Sequence, residues 1–151
     1  MKNAKILFLI LSGLWLLLGT GCKQSTSNDK STNADRLQKE VEEIHDESMS
    51  EIGTLRYYQD TLGTLLRGMN ADTNNTNTEL KEKFTSVIAD LNAIDDMMMD
   101  WMRNYNPKSS EMEESARLEY LNSEKDKITK VKNRMDEAIP KAENLLKSSN
   151  L

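Results

Sequence analysis

The chain has one cysteine, one histidine and two prolines among 151 residues. Each scarcity excludes something. With Cys22 alone, no disulfide can form within the chain. His45 has no cysteine partners with which to build a zinc motif. There is no glycine-rich phosphate loop and no nucleophile elbow. His45 and Asp46 are sequence neighbours, so on a helix they point about 100° apart, a poor start for a catalytic dyad. Acid pairs such as Asp95–Asp96 and Glu113–Glu114 read as solvated helix faces. These absences argue against an enzyme. Pro107 and Pro140 are the only prolines, and no segment alternates apolar and polar residues as a half-buried strand does.

What is present begins at the N-terminus. Lys2 and Lys5 precede an almost unbroken apolar run from Ile6 to Leu18, "ILFLILSGLWLLL". The run is short for a membrane span, which needs about 20 apolar residues, and suits the core of a secretory signal. A single uncleaved membrane anchor is the alternative. The small residues Gly19, Thr20 and Gly21 then lead to Cys22. This arrangement resembles a bacterial lipobox, although Leu18 sits one position too far upstream and Gly19 takes its place. The resemblance implies thioether-linked diacylglycerol on Cys22, cleavage just before it, and a lipid anchor on the new N-terminus. An ordinary signal followed by a free cysteine is the plainer reading. Two or three acyl chains would hold a protein stably on a membrane, since each buried methylene contributes about 0.8 kcal/mol.

The expected organisation is a leader over 1–21, a lipidated flexible tether over 22–33 and a helical domain over 34–151. Of the 20 basic residues, Lys2 and Lys5 fall in the leader, so 18 face 25 acidic residues in the remainder, a formal charge of −7. That balance argues against nucleic acid and against docking on anionic lipid by charge. The tether, "KQSTSNDKSTN", is polar throughout. It lacks an acidic cluster directly after Cys22. By resemblance to surface-exported lipoproteins of Bacteroidota, which often carry one there, this favours the periplasmic face of the outer membrane.

Apolar spacing predicts three helices. In the first, Leu37, Val41 and Ile44 are followed by Leu55, Tyr58, Leu62, Leu65 and Met69. Ser48 and Glu51 interrupt this seam, and the apolar stripe drifts onto His45, Met49 and Ile52. Gly68 and "NADTNNTNT" end it. The second helix has an unbroken four-three repeat through Leu80, Phe84, Val87, Leu91, Ile94, Met98, Trp101 and Tyr105, with Thr78 as the expected N-cap and "NPKSS" as the stop. Ser110 with Glu113 suggests a capping box for the third. Its expected seam runs through Leu118, Leu121, Ile128, Val131, Met135, Ala138, Ala142 and Leu145, and Pro140 is expected to kink it or to start a last segment. Glu79–Lys83, Glu113–Arg117 and Glu143–Lys147 read as ion pairs on solvated faces. The predicted fold is all-α, an up-down-up antiparallel three-helix bundle. Its coiled-coil-like seams leave room for a protein partner or a homo-oligomer.

Three stretches carry a family resemblance: "IHDESM" (44–49), "DDMMMDWMRNY" (95–105) and "YLNSEKDKITKV" (120–131). Through them the chain resembles small uncharacterised helical lipoproteins of Bacteroidota, some labelled viral A-type inclusion protein-like, a label that reflects coiled-coil composition. In that family His-Asp-Glu-x-Met is followed by proline, where this chain has Ser50. The resemblance brings no assigned activity with it. It implies a membrane-anchored envelope protein with a structural or protein-interaction role.

The methionine-rich "MMMDWM" (97–102) offers a second reading. If helices one and two form a hairpin about residues 73–74, residues at one height have numbers summing to about 147. His45 then faces Met102, and Met49 faces Met98. A second turn about Pro107 gives sums near 214 and sets Met112 level with Met102. His45, Met49, Met98, Met102 and Met112 would gather beside Trp101. Imidazole with thioethers suits Cu(I). Axial haem ligation fits less well, because no haem-attachment motif is present. The plainer reading is core filling, for which methionine is well suited; Met97 and Met99, which flank the seam, have no ligand logic.

Overall fold

The computed structural model describes residues 31–72 and 77–149. The leader, Cys22 and most of the tether lie outside the described residues, as do 73–76 of the first interhelical loop. The described residues form three long helices: α1 (Asn33–Ala71), α2 (Thr78–Asn104) and α3 (Glu114–Ser148). One 3₁₀ turn, Ser109–Glu111, lies between α2 and α3. No strand occurs among the described residues.

Each helix begins where local chemistry can satisfy its free N–H groups. At α1 the Thr32 hydroxyl accepts the Asp35 N–H at 3.1 Å, and the Asp35 carboxylate accepts the Thr32 N–H at 3.0 Å. This reciprocal capping box fixes the start of α1. At α2 the cap is Asn77, whose side chain accepts the Leu80 N–H at 3.1 Å. It lies one residue before the expected Thr78. The capping box expected at Ser110 does not form. Ser110 belongs to the 3₁₀ turn, and α3 starts at Glu114 after Glu113, which makes no side-chain cap bond. Pro140 neither ends α3 nor begins a new segment: the helix runs on to Ser148. The lost proline N–H removes one bond from the ladder, and packing of Ala138 and Ala142 on either side carries the helix through.

Cross-helix pairs set the topology. Arg56 bonds Asp95 and Gln59 bonds Asn92, so α1 and α2 are antiparallel with heights summing to 151 rather than 147. Glu40 pairs with Lys125 and Glu51 with Lys132, so α1 and α3 run parallel. Lys141 reaches Asp90 of α2 at 3.1 Å. The bundle is therefore up-down-up, and each helix packs on the other two.

The seams are more regular than apolar spacing suggested. In α1 the buried residues Ala34, Val41, Ser48, Leu55, Leu62 and Met69 recur every seven positions. Ser48 does not interrupt the stripe. It is fully buried, and its hydroxyl donates to the Ile44 carbonyl at 2.8 Å, which satisfies it within its own helix. In α3 the seam is Arg117, Leu121, Glu124, Ile128, Val131, Met135, Ala138 and Ala142, a strict four-three repeat. Leu118 lies beside it, half-buried. Two charged residues thus occupy the seam: Arg117, expected on a solvated face, and Glu124, which the expected seam passed over.

The unequal helix lengths explain Arg117. Tyr105, just past the end of α2, is level with Tyr120 of α3. Below that height α1 and α3 continue as a pair, and residues 105–113 lie along them in place of a third helix. This segment supplies Ser109, which is fully buried, and the Asn106 N–H, which donates to the Tyr120 hydroxyl at 2.7 Å. Arg117 donates to Asp35 at 2.8 Å and to Gln38 at 2.7 Å. It is buried and tied to α1, and it forms no solvated pair with Glu113. Its Nε has no protein partner. The pairs Glu79–Lys83 and Glu143–Lys147 form as expected.

Candidate functional site

At the height where α2 ends, four aromatic rings form a continuous ladder across the bundle. His45 of α1 stacks on Trp101 of α2, with centroids 5.3 Å apart. Trp101 meets Tyr105 at 4.8 Å, and Tyr105 meets Tyr120 of α3 at 6.3 Å. Trp101 lies on the inner face of α2 and Tyr105 caps its C-terminus four residues on, so the ladder continues the seam spacing.

This end of the bundle is also its most polar interior. The Trp101 indole N–H and the Tyr105 hydroxyl are buried without a protein hydrogen-bond partner. Burial, reinforced by negative charge on Glu42, Tyr120 and Glu124, pushes the Tyr105 hydroxyl up to about 12. Glu124 is 4% exposed and bonds Lys127 at 2.7 Å. Two clefts flank Trp101. One, of about 360 Å³, lies between α1 and α2 and is lined by Glu42, His45, Asp46, Trp101, Met102 and Tyr105. The other, of about 400 Å³, lies between α2 and α3, with Met97, Glu124, Lys127 and Val131 in its walls.

The five expected soft ligands do not gather as one set. His45 and Met102 line the same cleft, as their pairing required. The His45 Nδ1 lies 3.0 Å from the Asp46 carboxylate, which orients the ring. Met98 is fully buried in the core, and Met49 packs half-buried against it. Met112 is displaced altogether. The α2–α3 pairs Tyr105–Tyr120 and Asp90–Lys141 sum to 225 and 231, not 214, because residues 105–113 overrun the end of α2 before α3 begins. Glu114, two residues beyond Met112, accepts the N–H of Ala34 at the start of α1. Met112 therefore lies level with the first turn of α1, about 15–20 Å along the axis from His45 at 1.5 Å per residue. Among the described residues no group of three or more His, Asp or Glu side chains is placed to hold a metal ion.

Arg117, Glu124 and Tyr120 were missed as members of this region. The signal was available in the seven-residue spacing of 117, 124, 131 and 138, which carries the seam straight through two charged residues. No protein-family model, curated protein or solved structure matches the chain.

Proposed function

We propose that the chain is a lipid-anchored helical-bundle protein of the bacterial cell envelope, tethered through acylated Cys22, with a structural or protein-interaction role rather than a catalytic one. The observation that best supports this reading is the start of α1 at the Thr32 capping box, ten positions after Cys22. A sharp helix start just beyond a short polar stretch suits a domain held close to a membrane surface. No described helix is long and apolar enough to cross a membrane. The absence of an acidic cluster after Cys22 favours the periplasmic face of the outer membrane.

The test is Cys22→Ser in cells fed a labelled fatty acid. The variant is expected to lose the acyl label and to leave the membrane fraction. Retention of the unlabelled variant in membranes would point to an uncleaved apolar anchor instead. Crosslinking in whole cells tests the interaction role, and capture of neither a partner nor a second copy would count against it. A Cu(I)-binding role is the alternative reading. The geometry leaves it His45 and Met102 as the pair sharing a cleft, fewer donors than the sequence offered.

A further inference from the structure

We propose that the cleft between α1 and α2 lined by Glu42, His45, Asp46, Trp101, Met102 and Tyr105 binds an organic cation, specifically a quaternary ammonium group. The lining carries this inference. Glu42 and Asp46 are one helical turn apart on α1, so both carboxylates overlook the same opening. No lysine or arginine lines it, and neither carboxylate is ion-paired to one: Glu42 accepts the Gln38 amide at 2.8 Å and Asp46 meets the His45 ring. The nearby guanidinium of Arg103 is engaged by Asp100. The field in the cleft is therefore negative and not neutralised from within.

The remaining walls are aromatic and thioether. Trp101, 8% exposed, and Tyr105 and His45 packed on it line the cleft, and Met102 contributes a polarizable sulfur at the exposed rim. Ring quadrupoles attract weakly hydrated cations, and quaternary ammonium groups are the ligands for which such cages work best. The ladder also holds the rings in fixed mutual orientation before any ligand arrives, which lowers the ordering cost of binding. The chemistry selects against other occupants. An anion meets two carboxylates. A hard divalent ion wants six or more oxygen ligands and finds few. Cu(I) finds one imidazole and one thioether. A volume of about 360 Å³ is at the small end of ligand sites, which fits a headgroup-sized cation. This inference is independent of the lipid tether.

The experiment is methyl NMR on the detergent-solubilised full chain carrying ¹³C-methyl methionine, titrated with tetramethylammonium chloride. Potassium chloride at equal ionic strength and tert-butanol, a neutral molecule of similar size and shape, serve as controls. The Met102 methyl is expected to shift saturably with tetramethylammonium alone, while Met69 at the far end of α1 does not move. The Glu42→Gln/Asp46→Asn double variant, altered only at exposed positions, is expected to bind at least tenfold more weakly with its other methyl signals unchanged. A non-saturating shift matched by potassium chloride overturns the proposal. So does an equal response to tert-butanol, unchanged affinity in the double variant, or saturation of the cleft by Cu(I) but not by tetramethylammonium.

Discussion

The His45 imidazole lies over the Trp101 indole, with ring centroids 5.3 Å apart and planes inclined by 30°. This stack joins the first third of α1 to the last turn of α2, where α2 ends and α1 and α3 continue. Trp101→Ala should cost about 3–5 kcal/mol, as expected for a large buried aromatic, and His45→Ala about 1 kcal/mol. Urea unfolding of both singles and the double should give a coupling of about 0.5–1.5 kcal/mol, the range for aromatic pairs. Simple additivity would mean that the rings are neighbours without a mutual preference.

Leu91 is at the centre of α2 and fully buried. Leu91→Asp places an unpaired carboxylate among apolar side chains and should destabilise the bundle by several kcal/mol. Thermal unfolding followed by helical circular dichroism would register this as a large fall in Tm. An unchanged Tm would mean that this face of α2 is not the core.

α2 was also the element most legible in sequence. Every buried position in it, from Phe84 to Trp101, is apolar, so the repeat could be read by eye. α1 and α3 were harder for a specific physical reason. Ser48 is buried because a serine hydroxyl can be satisfied by its own helix, and Arg117 because Asp35 and Gln38 of α1 meet it. Neither compensation is visible in a hydropathy pattern. The His45–Met102 pairing survived a small error in the α1–α2 register, since long side chains span a turn. The place of Met112 did not survive, because the path of residues 105–113 depends on helix lengths that apolar spacing does not set.

The Arg117–Asp35 contact gives the bundle a dependence on acid. Backbone and side-chain hydrogen bonds from Thr32 and Arg117 hold the Asp35 carboxyl below its ordinary value of 3.8. A depressed folded-state value means that the contribution is present above the unfolded value and is lost as pH falls through the folded one. The Tm difference between wild type and Asp35→Asn should therefore be steady near neutrality and shrink below about pH 4. Arg117→Leu should behave differently. It puts an apolar side chain on an apolar seam and leaves Asp35 facing water, so its cost should be small. A large loss in Arg117→Leu would show that this network, rather than apolar packing, secures the open end.

Gly53 lies in the interior of α1, and a methyl group added there meets nothing within 4 Å. Its backbone is helical and its surroundings are open. Gly53→Ala should stabilise the protein by about 0.5–1 kcal/mol through reduced freedom of the unfolded chain and better helix propensity. Chemical denaturation would show this as a higher midpoint with an unchanged slope. A loss of stability would mean that the exposed face of α1 near Gly53 is covered in solution, as it would be if a second copy packed there.

Tyr105 should give the bundle an alkaline limit. Its hydroxyl, raised to about 12 by burial and by the neighbouring carboxylates, stays protonated in the folded state after an unfolded tyrosine has ionised near 10. The folded chain thus holds this proton more tightly than the unfolded chain does. The resulting stability is fully present below pH 10 and declines as pH rises towards 12. Tyr120, also raised mainly by burial, contributes in the same direction, so the informative quantity is the difference between wild type and Tyr105→Phe. The variant removes an ionisable group and a buried hydroxyl that has no protein partner. It should be at least as stable as wild type at neutral pH, and its advantage should grow across this alkaline range. Tyrosinate absorbance at 295 nm on the folded protein should in parallel lose its most alkaline step. A Tyr105→Phe variant that loses stability at neutral pH would show that the hydroxyl is engaged in solution, and the polar interior beside Trp101 would then have to be redrawn around that bond.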